Sequence, residues 1–193
     1  MKSPLIVFFL FLFSFSVLGQ ETSKMIDPRD GKVYNTVDLN IVLEGGIYVH
    51  RVWIAENLNF KTEKSVCYKD EPAYCNKFGM LYNWEDVQTV CPQGWHLASE
   101  KEWKEAIETF GGLYSAGKSL KAEGSSNLNM ILGGFGDAAG NYSDVGRSAN
   151  YWVQGETIKL TAPMKSVNSA HNEIGEVLMR KTNYNSCRCV ENY

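Results

Sequence analysis

The chain has 193 residues, of which 44% are hydrophobic, 12% aromatic and 21% charged, which excludes a wholly disordered or collagen-like polypeptide. Its 19 Lys and Arg against 22 Asp and Glu give a net charge of −3 with the signs interspersed, so there is no basic footprint for a nucleic-acid partner. The length admits one domain, or two small ones.

Met1–Gln20 opens with one Lys and continues as an apolar and serine run from Leu5 to Leu18. A membrane-spanning helix needs about 20 apolar residues, so the run fits the core of a secretory leader better than an uncleaved anchor. Val17 and Gly19 are small enough to place cleavage after Gly19 or Gln20. The expected product is secreted, periplasmic or held at the cell surface, with no integral membrane span after cleavage. Glu21–Ile26 reads as a short polar tether, and residues 27–193 read as a single domain.

Asp27-Pro28-Arg29-Asp30-Gly31 is rich in turn formers. Val33, Val37 and Leu39 begin a strand pattern. Gly45-Gly46 then leads into Ile47, Val49, Arg51 and Trp53 alternating with Tyr48, His50 and Val52, the signature of a hairpin. Leu81–Val90 is a candidate helix ended by Cys91-Pro92-Gln93-Gly94. The clearest element follows. Ser99 and Glu102 make a Ser-x-x-Glu capping box, Trp103, Ala106, Ile107 and Phe110 form one apolar face, and Gly111-Gly112 stops the helix. From Gly117 to Gly155 glycine and small polar residues predominate, predicting loops with short strands. Glu176–Asn183 and Ser186–Tyr193 read as closing strands.

The five cysteines are Cys67, Cys75, Cys91, Cys187 and Cys189. An odd number leaves at least one thiol over, and five choices of that thiol times three pairings give 15 arrangements of two bridges. Cys67 and Cys75 flank a short polar segment suited to a local staple. A bridge from Cys91 to Cys187 or Cys189 would close nearly a hundred residues and stabilise by about 4–5 kcal/mol in the chain-entropy model. The remaining thiol is either an inert buried cysteine or half of a redox or metal pair, Cys187-Arg188-Cys189. Two thiolates do not complete a zinc shell, and no histidine spacing supplies the rest, so no metal site is assigned.

Four further patterns carry possible chemistry. Gly112–Ser119 matches the phosphate-loop pattern literally, but a capped helix rather than a buried strand precedes it, so the reading is rejected. His96 has no Ser-His-Asp context and reads as a half-buried, hydrogen-bonded histidine. Asp137, Asn141 and Asp144 offer oxygen ligands of the type calcium takes, without the EF-hand spacing; a solvated turn is the simpler reading. Phe135, Tyr142, Tyr151 and Trp152 lie in the same region as Asp137 and Asn141. Flat aromatic rings beside amides and carboxylates suit a sugar, although large aromatics are usually core.

Three stretches together resemble a known family. They are Asp27–Val37 with Arg51–Phe60; Cys67–Val87 followed by Cys91–Gly112, which contains Cys-Pro-Gln-Gly-Trp-His-Leu-Ala-Ser; and Leu132–Trp152 with Arg188–Asn192. These resemble the Fibrobacter succinogenes major paralogous domain, a bacterial secreted module, with Ala98 where that family usually has Pro. The resemblance implies an α+β, C-type-lectin-like architecture, also seen in formylglycine-generating enzymes. Two helices would pack on small antiparallel sheets, with a long loop-rich segment and with the N- and C-terminal strands paired. It also implies Cys67–Cys75 and Cys91–Cys189 bridges, leaving Cys187 unpaired. The calcium and sugar motifs of true C-type lectins are absent, and the C-terminal cysteines do not reproduce the formylglycine-generating pair, so neither activity is carried over.

The resulting expectation is an exported, non-catalytic binding module for a polysaccharide or a surface protein. Its face would lie around Phe135, Asp137, Asn141, Tyr142, Tyr151 and Trp152, and it would need no cofactor, calcium being the one candidate. The alternatives are a thiol enzyme using Cys187 and Cys189, with the Cys187 pKa depressed by Arg188, and a passive structural surface component.

Overall fold

The computed structural model describes residues 20–43 and 45–193. The leader read in Met1–Gln20 therefore lies outside the described residues except for Gln20, whose side-chain oxygen accepts a hydrogen bond from the Asn40 amide at 3.0 Å. Among the described residues no helix is long and apolar enough to cross a membrane.

In chain order the strands are β1 (Glu21–Ile26), β2 (Val33–Val42), β3 (Tyr48–Ile54), β4 (Trp95–Leu97), β5 (Gly133–Gly136), β6 (Tyr142–Val145), β7 (Ser148–Trp152), β8 (Thr161–Asn168), β9 (Gly175–Arg180) and β10 (Cys189–Glu191). The helices are α1 (Pro72–Phe78), α2 (Trp84–Val87), α3 (Glu100–Thr109) and α4 (Gly117–Leu120). One antiparallel sheet runs β1-β2-β3-β10-β4. The other runs β6-β5-β7-β8-β9, with β5 and β7 parallel and its remaining neighbours antiparallel. The molecule is a mixed α and β protein, mostly strand, with two disulfides, Cys67–Cys75 and Cys91–Cys189.

The N-terminal hairpin forms as its alternation predicts. Val37, Leu39 and Ile41 of β2 lie opposite Trp53, Arg51 and Val49 of β3. These residues meet α3, whose Trp103, Ala106 and Ile107 are buried, and the Trp53 and Trp103 rings pack edge-on with centroids 4.9 Å apart. Arg51 is the polar member of that inner face. It stays there because its Nε donates to Glu105 of α3 at 3.0 Å and its guanidinium lies over the Tyr193 ring at 4.0 Å. Tyr151, Val153 and Val167 of the second sheet region join the same core. β10 inserts between β3 and β4, with Val190 opposite Trp53 and Cys189 opposite Leu97.

Two expected elements differ. Glu21–Ile26 is not a tether. It is the edge strand β1, paired with β2 from Glu21–Asp38 to Ile26–Val33. Its side chains are nearly all exposed, so no hydrophobic pattern announces it. What fixes it is the open backbone edge of β2, whose amides and carbonyls need partners. The helix expected over Leu81–Val90 shrinks to α2. Leu81 and Tyr82 lie in extended bridges to Val66 and Asn185, and the helix starts only where the Asn83 side chain accepts the Asp86 amide at 2.9 Å. The unforeseen α1 begins with Pro72 at its first turn and buries only Cys75, too weak a pattern to read from sequence.

Candidate functional site

The glycine-rich segment forms β5, β6 and β7, and the structure divides its aromatics sharply. Tyr151 and Trp152 are fully buried. β7 is an inner strand of its sheet, covered on both faces, so both side-chain directions point into packed protein. The Tyr151 hydroxyl donates to the Ile131 carbonyl at 2.8 Å, and the Trp152 indole donates to the Tyr82 carbonyl at 2.7 Å. Their expected role in recognition is thereby corrected: they are core residues. Phe135 is half-buried on β5. Asp137 and Asn141 close a turn on each other. The Asp137 carboxylate accepts from the Ala139 amide and from both the amide and the side-chain nitrogen of Asn141, each at 2.9 Å. The side-chain bond from Asn141 contributes most to holding that carboxyl below its ordinary value. The Asp137 oxygens are therefore engaged within their own turn.

Tyr142 is half-buried and packs on the buried Tyr68, whose ring in turn leads to two cleft-lining aromatics. The Tyr142 hydroxyl donates to Asp70 at 2.9 Å, and its ring lies 5.3 Å from that of Tyr68. Tyr68 is 5.1 Å from Tyr74, which stacks on Phe78 at 6.2 Å with 19° between the planes. Tyr74 and Phe78 project from α1 at i and i+4, where side chains share a helix face. Both are half-buried and line a cleft of about 480 Å³ with Glu71, Lys77, Val145 and Gly146. Two local features build this wall. The Cys67–Cys75 bridge ties α1 to the turn holding Tyr68, and Lys69 and Asp70 both adopt left-handed backbone, at φ 55° and 58°. Gly134 lets β5 pass beneath, because a Cβ there would lie 2.5 Å from the Ser143 carbonyl and 2.8 Å from the Tyr68 ring.

Sequence reasoning missed Tyr68, Tyr74 and Phe78. The available signal was a set of aromatics within and just after the Cys67–Cys75 segment, but without α1 they had no common face. It also missed a larger polar cleft of about 660 Å³ between the β1–β2 ladder and the segment carrying Glu123, Asn127 and Asn129. All three of those residues have positive φ, and no aromatic ring lines the cleft.

The remaining constellations are committed to structure. His96 accepts or donates between Asn192 at 2.8 Å and Glu102 at 2.9 Å, while the Ser99 hydroxyl donates to Glu102 at 2.7 Å. The serine thus faces a carboxylate rather than the imidazole, which is no arrangement for activating a nucleophile. The Gly117 amide of the phosphate-loop-like segment donates to the Asn172 carbonyl at 2.9 Å. Cys187 is unpaired and fully buried. Burial pushes its thiol well above the ordinary range and outweighs the attraction of Arg188 and Arg29. This overturns the expectation of a thiol activated by Arg188. The Arg188 guanidinium is instead held by Asn57 at 3.1 Å and by the carbonyls of Ile54 at 3.1 Å and of Leu128 and Asn129 at 2.6 Å.

The family model of the Fibrobacter succinogenes major domain matches residues 47–191. No curated protein and no solved structure matches the chain significantly. The matched span begins just before β3 and contains both disulfides, the aromatic cleft and the buried Cys187 with its neighbours. The match covers most of the chain, and the chain belongs to the Fibrobacter succinogenes major domain family.

Proposed function

We propose that the protein is a non-catalytic binding module that holds a saccharide in the cleft between α1 and the β6–β7 turn. The observation that carries this reading is the stacked pair Tyr74 and Phe78 lining a cleft within the size range of small-molecule sites, with the buried Tyr68 and then Tyr142 packed behind them. A sugar ring has a flat C–H face that stacks on an aromatic ring, while its hydroxyls need a few placed polar groups. Glu71 and Lys77 at the cleft supply an acceptor and a donor. The Cys67–Cys75 tie keeps the wall ordered before binding, which lowers the entropy cost of association.

The non-catalytic reading is supported by the fates of Ser99, His96 and Cys187, whose groups are bonded or buried away from reactive roles. A C-type-lectin-like architecture belongs to the same proposal. It is supported by the Cys91–Cys189 bridge from the loop after α2 to the last strand, and by the pairing of β10 with the N-terminal sheet. Export to an oxidising compartment, secreted or at the cell surface, fits two disulfides. Calcium is assigned no part, because Asp137 spends its carboxylate on its own turn.

The test is retention of the folded, oxidised chain on a panel of soluble and insoluble polysaccharides, with and without a calcium chelator. One member of the panel should retain the wild type regardless of chelator. Tyr74→Ala should weaken that binding by about 1.5 kcal/mol, roughly tenfold in Kd, the size of one lost stacking face. Retention by no polysaccharide would overturn the reading. So would an unchanged Tyr74→Ala combined with loss of binding in Asn127→Ala, which would move the site to the polar cleft.

A further inference from the structure

Cys91, Cys187 and Cys189 bring three sulfurs to one place, with all three Sγ atoms within 4.8 Å of one another. The Cys187 Sγ is 3.9 Å from that of Cys91 and 3.8 Å from that of Cys189. It therefore lies broadside to the Cys91–Cys189 bond, nearly equidistant from its ends. Thiol–disulfide exchange needs the attacking sulfur on the extension of the bond it breaks, so the resting geometry is poorly set for exchange. The same geometry suits three sulfurs around a common centre. At a metal–sulfur distance of about 2.3 Å, three thiolates in a trigonal plane stand about 4 Å apart. Two of the three spacings already have that value; the third is the disulfide itself.

We propose that, once the Cys91–Cys189 bond is reduced, Cys91, Cys187 and Cys189 form a site for a soft monovalent cation of the Cu(I) type. Thiolates select soft ions, and structural zinc sites almost always require a fourth ligand. Among the described residues the cluster contains three ligating side chains and no fourth His, Cys, Asp or Glu. Cys187 and Cys189 are fully buried and Cys91 is half-buried, so the ion would be shielded from water on most sides. The charge environment is also suitable. Arg188 lies between the two tail cysteines, and Arg29, shared with Asp27, donates to the Val90 carbonyl at 2.8 Å beside Cys91. Asp86 and the Tyr82 hydroxyl are the other ionisable groups acting on Cys187. Arg188 offsets part of the excess negative charge that three thiolates and one monovalent ion leave, and Arg29 adds less because Asp27 is paired with it.

The chemistry balances without any further redox partner. A phosphine reductant gives two electrons to the S–S bond and becomes a phosphine oxide. Water supplies its oxygen and the two thiol protons. The cation then replaces thiol protons, which pass to solvent, and no electron moves in that step. The oxidised protein holds no ion, so occupancy is gated by reduction.

The test uses the whole chain, reduced anaerobically with a phosphine and titrated with Cu(I) against a coloured chelator. Near-UV circular dichroism is followed in parallel as the readout of folding. The reduced wild type should take one Cu(I) per chain and the oxidised wild type none. Cys187→Ser, which leaves the Cys91–Cys189 bridge free to form, should bind at least about tenfold more weakly after reduction, since losing a ligand costs no less than losing its support. A Cys67→Ser/Cys75→Ser variant should bind like the wild type. If reduction loosens the fold, Cu(I) should restore the near-UV signal. The proposal is overturned if Cys187→Ser binds as tightly as wild type, or if the reduced wild type binds no Cu(I). It is also overturned if Cu(I) fails to restore a lost fold, or if zinc is held in preference.

Discussion

Asp27 shows how a single residue can be decisive without belonging to any site. It is fully buried, and burial by itself would raise its pKa. Arg29 overrides that, donating its Nε at 2.9 Å, one guanidinium nitrogen at 2.6 Å and its backbone amide at 3.0 Å, so the carboxyl titrates below its ordinary 3.8. A group whose folded pKa is lowered stabilises fully above its unfolded pKa, and the stabilisation disappears as pH falls through the folded value. Asp27→Asn should therefore cost about 1–3 kcal/mol at pH 7, and its urea midpoint should fall less steeply than that of wild type as the pH drops below about 4. Parallel acid slopes for the two proteins would contradict this account. The Arg29 guanidinium also lies 3.7 Å over the Phe60 ring and reaches the Val90 carbonyl, so one short turn ties the N-terminal sheet to the segment before Cys91.

Among the elements, α3 is the most self-contained. Ser99 and Glu102 satisfy each other's backbone amides, and Glu102 continues the chain of hydrogen bonds to His96 and Asn192. Ser99→Ala should destabilise by about 1 kcal/mol in urea unfolding, the usual cost of an N-cap. A change below about 0.3 kcal/mol would mean that the helix is held by Trp103, Ala106 and Ile107 alone. α3 was legible because its cap, apolar face and glycine stop all fall in ten consecutive residues or next to them. β1 was not, because what stabilises it is remote, the open edge of β2; α1 was not, because it buries only Cys75 and is held by a disulfide and by the contact of Tyr74 with the Tyr68 ring rather than by an apolar face of its own.

At the scale of the whole molecule the last residues hold separate parts together. Cys189 bonds Cys91 across 98 residues of sequence, and Arg188 gathers the segments carrying Ile54, Asn57, Leu128 and Asn129. The chain-entropy model assigns about 4–5 kcal/mol to so long a loop but only about 2–3 kcal/mol to the eight-residue separation of Cys67 and Cys75. Cys91→Ser should accordingly lower the unfolding free energy by about twice as much as Cys67→Ser, measured by urea denaturation under non-reducing conditions. Equal losses would show that native-state strain or residual structure, rather than loop length, sets the contribution of each bridge.

The sequence by itself determined whatever depends on near neighbours: the β2–β3 hairpin, α3 with its cap, the rejection of a phosphate loop, and the odd number of cysteines. It also carried the family resemblance and, through it, the pairing of Cys67 with Cys75 and of Cys91 with Cys189. Tertiary structure alone decided which aromatics face solvent. Tyr151 and Tyr142 are nine residues apart and chemically identical, yet one is on an inner strand covered on both faces and the other on the edge strand β6. It likewise decided the surroundings of Cys187, because its burial and its distance to the Cys91 sulfur depend on a segment nearly a hundred residues away. Exposure and electrostatic environment are sums over everything that packs nearby, and local pattern records only the part contributed by the chain's own neighbours.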